Sequence, residues 1–107
     1  MNSLNENNFF DNFIKKHTEK KYIIKTSRAS SALYCLIREI NIKNRYILIP
    51  NTICISVVIA AMSVNKNIIF CDTNQYDGNI NLHSLKKILK KKNIFVMLVP
   101  HMYGNPS

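Results

Sequence analysis

The first forty residues combine a helical apolar pattern with a short β-branched run. An amphipathic helix with one buried stripe is predicted by the spacing of four apolar residues, with lysines after them: Phe9, Phe10, Phe13 and Ile14. Residues 22–26 (YIIKT) are short and β-branched, which predicts a strand. The Ser/Ala-rich segment that follows predicts a second helix over residues 29–40. The chain is therefore expected to begin with a helix, followed by a strand that leads into a helix.

The rest of the chain alternates apolar runs with amphipathic segments. The run at residues 46–49, closed by Pro50, is uninterrupted, which predicts a strand covered on both faces and therefore a parallel sheet. Further strands are predicted at residues 68–72 and 94–99, and a helix at residues 53–64. A short helix is marked by Leu82, Leu85, Ile88 and Leu89. The order, a helix followed by βαβαβαβ, predicts an α/β protein with a parallel sheet and right-handed crossovers.

Length and charge restrict the class of protein. With 107 residues, of which 47% are apolar and 20% charged, the chain is expected to form one domain or part of one. The net charge of +9 raises the question of a nucleic-acid or anionic-membrane partner. Much of the excess falls on one predicted helix with few aromatic residues interleaved: Lys86, Lys87, Lys90, Lys91 and Lys92. We interpret it as a solvated face, with no nucleic-acid or membrane partner, and rank a small basic nucleic-acid-binding domain last.

The sequence predicts neither a targeting segment nor a metal site. Residues 1–8 are polar, and the longest apolar stretch, residues 53–64, is shorter than the ~20 residues that span a bilayer. We therefore expect a soluble, cytoplasmic protein. Cys35, Cys54 and Cys71 are too widely separated for a CxxC pair and have apolar neighbours, which predicts three buried, reduced thiols and no metal site.

Candidate chemistry lies where helices begin at the carboxyl ends of parallel strands, because free amides and the positive end of the helix dipole point there at anions. The first such position, residues 26–33 (TSRASSAL), combines small residues, hydroxyls and Arg28. It is either a phosphate cradle or an ordinary serine N-cap. Asp72 either orients a ligand or caps a loop. His101 is either an acid or base in a cleft, or a packing and hydrogen-bonding residue.

Four segments, taken in order, resemble the DegT/DnrJ/EryC1/StrS aminotransferases, which are pyridoxal-phosphate enzymes of fold type I that aminate nucleotide-linked keto sugars. Residues 28–33 (RASSAL) resemble the family's SGTAAL segment, and residues 47–54 (ILIPNTIC) resemble its proline-terminated strand. Residues 69–72 (IFCD) with residues 79–82 (NINL) resemble its VFxDxD-like strand end and N-I-D-like stretch. Residues 99–106 (VPHMYGNP) resemble its VHLYGxPxD segment.

The resemblance implies a cofactor site. Backbone amides and a hydroxyl at Ala29, Ser30 and Ser31 are implied to bind the phosphate of pyridoxal phosphate, and Cys54 takes the position of the residue that stacks on the pyridine ring. A thiol offers a soft contact there and no π-face. Ala29 replaces the family's glycine, which leaves close backbone approach less free. By the same resemblance, the Schiff-base lysine and the aspartate that pairs with the pyridine nitrogen lie beyond residue 107.

The resemblance also implies an organisation and a function. Residues 1–21 are expected to form an N-terminal helical segment, and residues 22–107 the truncated N-terminal part of a fold type I, PLP-dependent aminotransferase large domain. The implied reaction is transamination of a nucleotide-linked keto sugar from an amino donor such as glutamate, in polysaccharide biosynthesis, with this chain alone incomplete and inactive. A homodimer or a downstream partner chain is implied. The alternative is a non-catalytic assembly module that docks through an uncovered sheet edge and the Phe9, Phe10 and Phe13 stripe.

Overall fold

A computed structural model describes residues 3–40, 45–64 and 67–107. The elements, in chain order, are α1 (Ser3–Thr18), α2 (Ala29–Glu39), β1 (Tyr46–Pro50), α3 (Ile55–Val64), β2 (Ile68–Cys71), α4 (Leu82–Lys91) and β3 (Ile94–Met97), followed by a 3₁₀ turn (Met102–Gly104). Every predicted helix is present, and three of the four predicted strands form, each within a few residues of its expected bounds.

The three strands form one parallel sheet in the order β2-β1-β3. β1 and β2 are paired in register from Ile47 with Ile68 to Pro50 with Cys71. β3 pairs with the other edge of β1, with a register shift after Tyr46. Since β1 has a neighbour on each side and helices on both faces, its apolar run is buried, and the prediction of a parallel sheet is confirmed.

Helices cover both faces of the sheet. Ile47 and Ile49 of β1 point to one face, where they pack with Ile37 of α2 and with Val58 and Ala61 of α3. Leu48 and Cys71 point to the other face, and Leu85 and Ile88 of α4 pack against them. The alternation follows from the period of two in a strand. Complete burial of one such aliphatic side chain contributes about 1.5–3 kcal/mol to stability.

The prediction of a strand at residues 22–26 is wrong, because the segment has no regular secondary structure and belongs to no sheet. Both edges of β1 are already occupied by β2 and β3, and no strand in the described ranges pairs with the segment. Tyr22 is 78% exposed and Ile24 86% exposed, so the β-branched side chains do not gain burial either. A β-branched composition favours a strand only where a neighbouring strand completes the backbone hydrogen bonds.

The apolar stripe of α1 is also not buried as predicted. Phe9, Phe10 and Phe13 are all about half exposed or more. The periodicity fixes which side chains share a face of a helix, but a second element must cover that face, and within the described residues none does. The link from α1 to the following segment is polar: Lys25 Nζ lies 2.8 Å from Asp11 Oδ1.

The expectation of three buried thiols holds for one of them. Cys71, at the end of β2, is buried, whereas Cys35 and Cys54 are exposed. Cys35 lies on the outer face of α2, and Cys54 precedes α3, so apolar neighbours in sequence did not place either side chain in the core. Within residues 3–40, 45–64 and 67–107, none of the helices has the length and apolar content needed to cross a bilayer.

Candidate functional site

The beginning of α2 leaves two backbone amides free. Arg28 is the N-cap residue, with an extended backbone (φ −147°, ψ 153°) and no side-chain capping bond. Its carbonyl accepts hydrogen bonds from the amides of Ser31 (3.1 Å) and Ala32 (3.2 Å). In the part of the chain that the structure describes, the amides of Ala29 and Ser30 have no acceptor. The alternative prediction, an ordinary serine N-cap, is therefore wrong, because the N-cap residue is Arg28.

The geometry of this helix start suits an anion. Free amides in a first turn point along the helix axis, where the helix dipole adds positive potential. Thr26 Oγ1 donates a 2.9 Å hydrogen bond to the Arg28 carbonyl, which fixes the approach of the chain to the helix. The exposed Arg28 side chain adds a positive charge beside the free amides of Ala29 and Ser30.

Ala29 does not require the backbone freedom of glycine. The described residues with a positive φ are Glu19, Gly78, Tyr103 and Gly104. Ala29 is not among them, so alanine at this position carries no left-handed strain. Alanine in place of the family's glycine therefore affects the approach of a phosphate only through the volume of one exposed methyl group.

Cys54 lies at the beginning of the neighbouring helix. Its carbonyl accepts hydrogen bonds from the amides of Val57 (3.0 Å) and Val58 (3.4 Å), so Cys54 is the residue from which α3 starts. Cys54 Sγ lies 3.2 Å from Ser56 Oγ. Hydrogen bonds from the Ser56 side chain and then from its backbone amide lower the pKa of the Cys54 thiol below its ordinary value, against a small opposing effect of desolvation. The thiolate is the form that these bonds stabilise.

The two helix starts lie on the same side of the sheet. Leu33, one turn into α2, and Ile53, next to Cys54, both pack against the cluster of Ile47 and Ile49. α2 and α3 also pack against each other. The fold thus brings the predicted phosphate-binding segment and Cys54 to one face of the sheet.

Asp72 and His101 have structural partners. The Asp72 carboxylate accepts a hydrogen bond from Ser84 Oγ at 3.2 Å, and its carbonyl accepts the Asn81 amide at 2.9 Å. Asp72 therefore links the end of β2 to the start of α4, which is the loop-capping alternative. His101 Nδ1 accepts the Ser107 amide at 3.0 Å, which is the hydrogen-bonding alternative for that residue.

Asn79 begins the family-like segment of residues 79–82, to which no site role was assigned; it is 6% exposed and joins two loops. Its Oδ1 accepts hydrogen bonds from the Met102 amide (3.2 Å) and the Ser107 hydroxyl (3.0 Å), and its Nδ2 donates to the Pro106 carbonyl (3.2 Å). The loop of residues 73–81 is thereby held against residues 100–107. The sequence contains two signals, an asparagine in a polar loop and its place in the family-like segment of residues 79–82, but neither indicates which residues Asn79 bonds to.

A second polar link holds the ends of β1 and β2. Thr73 Oγ1 donates to Asn51 Oδ1 (3.0 Å), and the Asn51 amide donates to the Cys71 carbonyl (3.1 Å). Thr52 Oγ1 reaches the Gly78 carbonyl at 3.1 Å. Over the described ranges, no group of three or more His, Cys, Asp or Glu side chains is placed to hold a metal ion. At the carboxyl edge of the sheet, these links are made by amide and hydroxyl groups, next to the Asp72 carboxylate that accepts from Ser84 Oγ.

A parallel sheet whose covering helix begins with free amides defines an α/β protein with a candidate phosphate-binding site. More particularly, the chain belongs to the DegT/DnrJ/EryC1/StrS aminotransferase family, whose family model matches residues 2–107. The resemblance carried by the four motifs is thereby confirmed, and the match also includes the N-terminal helix. No curated protein and no solved structure matches the chain at a significant level.

Proposed function

We propose that the chain contributes the phosphate-binding part of a pyridoxal-phosphate-dependent aminotransferase that acts on a nucleotide-linked keto sugar, with glutamate as amino donor. The family supports the aminotransferase activity. The observation that carries the cofactor assignment is the pair of free amides at Ala29 and Ser30, in the segment that resembles the family's phosphate-binding turn. In this proposal residues 22–107 belong to a fold type I large domain, residues 1–21 precede it, and the protein is cytoplasmic.

The residues present fit the phosphate group of the cofactor. The amides of Ala29 and Ser30 would donate to phosphate oxygens, the Ser31 hydroxyl would add a third donor, and Arg28 would contribute charge. Cys54 would contact the pyridine ring with its sulfur. When bound, pyridoxal phosphate supplies the electron sink that amino-group transfer needs.

The strength of the site follows from its donors. Hydrogen bonds to a charged group contribute about 1.5–3 kcal/mol each, so two amides contribute about 3–6 kcal/mol. A dissociation constant of about 1 mM corresponds to about 4.1 kcal/mol. Since association also costs about 4 kcal/mol or more in lost translational and rotational freedom, we expect the 107-residue chain to bind pyridoxal phosphate weakly, with a dissociation constant of about 1 mM or above.

We further propose that this chain alone binds without turning over. None of its lysines falls on a segment that resembles a family motif, so none is assigned as the Schiff-base lysine. The sugar-nucleotide substrate, the incomplete character of the chain and a homodimeric or two-chain assembly stay predictions of the resemblance. A pyridoxal-phosphate absorbance band that required one of these lysines would contradict this part of the proposal.

The test compares ligands that differ in the phosphate group. Isothermal titration calorimetry with pyridoxal phosphate and with inorganic phosphate is expected to show binding, whereas pyridoxal without phosphate is expected to show none. Ser30→Asp places a carboxylate among the free amides, where it keeps the helix start but competes with the anion, and is expected to abolish binding. His83→Asp makes a comparable change in the first turn of α4 and is the matched control.

Two results would contradict the cofactor assignment. One is equal binding of pyridoxal and pyridoxal phosphate, since the amides would then contribute nothing. The other is an equal loss of binding in Ser30→Asp and His83→Asp, since the effect would then reflect net charge and not the beginning of α2. Loss in Ser30→Asp alone supports the assignment.

A second candidate function, a non-catalytic assembly module, is favoured by the exposed stripe of Phe9, Phe10 and Phe13 on α1. Size-exclusion chromatography with the neighbouring gene product is the test. Co-elution that is lost in Phe9→Ser/Phe13→Ser, but kept in the control Tyr76→Ser on the fully exposed loop residue, would support it. Separate elution of the two proteins would contradict it.

A further inference from the structure

An open groove of about 440 Å³ lies between the outer edge of β2 and α4, on the part of the molecule that the cofactor proposal does not use. It is lined by Ile69, Phe70, Asp72, Ser84, Lys87, Ile88, Lys91 and Lys92. Ile69 and Ile88 give it an apolar floor. In register, Ile69 pairs with Leu48, whose side chain points to the α4 face of the sheet, so Ile69 points to the same face.

The wall formed by β2 presents unpaired backbone groups. β2 is the edge strand of the sheet. The carbonyls of Asn67 and Cys71 accept hydrogen bonds from β1, so the odd-numbered residues direct their backbone groups inward. Because the direction alternates along a strand, Ile68 and Phe70 direct their N–H and C=O groups outward, and no other described residue bonds to them. The outward amide of Asp72 is already occupied by Ser84 Oγ at 3.4 Å, which ends the free edge.

The other wall is positively charged. Lys87 and Lys91 of α4 line the groove, and neither has a carboxylate partner among the residues the structure describes. Lys92 Nζ lies 5.1 Å from the centre of the Tyr46 ring and is partly engaged there. Asp72 contributes the only carboxylate to the lining, and Ser84 already donates to it. The groove therefore combines a free strand edge with unneutralised positive charge.

The spacing of these charges matches an extended chain. Residues four apart on a helix are separated by about 6 Å along its axis. Alternate side chains of a strand, which point to the same face, are separated by about 6.7 Å. A strand added to the edge of β2 with carboxylates at alternate positions would thus bring two of them to Lys87 and Lys91, while its backbone pairs with Ile68 and Phe70.

We propose that the edge of β2 and the basic side of α4 bind an extended, acidic segment of a partner protein as an added strand. Strand addition provides affinity through main-chain hydrogen bonds, and pockets for alternate side chains provide specificity. A nucleic acid fits the groove less well, because its only aromatic lining residue, Phe70, pairs in register with Ile49 and so directs its ring to the opposite face. Stacking platforms for bases are therefore lacking in the groove.

The test uses a fluorescein-labelled heptapeptide of alternating glutamate and valine, with a lysine–valine heptapeptide as the charge control. Fluorescence anisotropy is expected to show saturable binding of the acidic peptide only, weakening as salt rises from about 50 mM to about 500 mM. Lys87→Glu/Lys91→Glu replaces two attractions by two repulsions and is expected to weaken binding about tenfold. Lys86→Glu/Lys90→Glu makes the same change of net charge outside the groove and is expected to change binding less than about threefold.

N-methylated peptides test whether the peptide adds as a strand. Alternate amides of an added strand point towards β2, and the amides between them point away. Methylating the set that points towards β2 removes the bonds to β2 and is expected to abolish binding, whereas methylating the other set leaves those bonds intact. The proposal would be overturned by equal effects of the two methylated peptides or by equal effects of the two lysine pairs. Tighter binding of a single-stranded oligonucleotide than of the peptide would likewise overturn it. Absence of binding would also overturn it, and would leave these lysines as charges that discourage edge-to-edge pairing.

Discussion

Asn79 offers the sharpest test of how the carboxyl edge of the sheet is held together. Asn79→Ala removes one hydrogen bond each to Met102, Pro106 and Ser107. The single Ser107 hydroxyl proton also has the Pro100 carbonyl as an acceptor at 2.7 Å, so it is not counted as a full bond to Asn79. At about 1 kcal/mol each, the bonds to Met102 and Pro106 predict a loss of about 2 kcal/mol. Against a typical total of about 5–15 kcal/mol, that loss is large.

Urea unfolding followed by far-ultraviolet circular dichroism measures the free energy of unfolding of each variant. Asn105→Ala, an exposed asparagine in the same segment, is the control and is expected to change stability by less than about 0.5 kcal/mol. Hydrogen exchange adds a local measurement, because the Met102 amide loses its acceptor in Asn79→Ala. A loss below about 0.5 kcal/mol in Asn79→Ala, with unchanged exchange at Met102, would refute the role assigned to Asn79.

Two further predictions concern Cys54 and the glycines. Iodoacetamide is expected to alkylate Cys54 before Cys35, which is also exposed, because Ser56 lowers the pKa of the Cys54 thiol. Ser56→Ala is expected to move the half-maximal rate at Cys54 to higher pH, and identical pH profiles for the two thiols would contradict this. Gly78→Ala and Gly104→Ala are each expected to lower the free energy of unfolding in urea by about 1 kcal/mol, because both positions have positive φ (69° and 80°). The two losses are expected to be similar, since neither new Cβ meets an atom closer than 3.6 Å. A much larger loss at Gly78 would show that contacts with Met102 dominate there.

The elements that the sequence predicted well are those whose pattern is local and regular. The lysine-flanked apolar spacing of α4 and the unbroken run of β1 each occupy consecutive residues, so the period alone identifies them. α4 also begins at a recognisable cap, since Asn81 Oδ1 accepts the Ser84 amide at 3.0 Å. The family resemblance, based on four ordered motifs, added the family to which the chain belongs.

What the sequence did not predict depends on residues far apart in the chain. Residues 22–26 have strand composition, but a strand also needs a neighbour, and none of the three strands in the described residues pairs with this segment. The stripe of α1 and the exposure of Cys54 depend likewise on what packs against a helix. The bond from the Met102 amide to Asn79 spans 23 positions, and no local pattern encodes it.

The order of the strands has a consequence during synthesis on the ribosome. β1 emerges first but is the middle strand, and its second neighbour, β3, begins only at Ile94. At ~5–20 residues per second, translation from Pro50 to Ile94 takes on the order of seconds. Until then the nascent polypeptide carries its most buried strand with both sides unpaired before β2 is made and one side unpaired afterwards, so chaperone binding to residues 46–50 would protect it most before β3 leaves the exit tunnel.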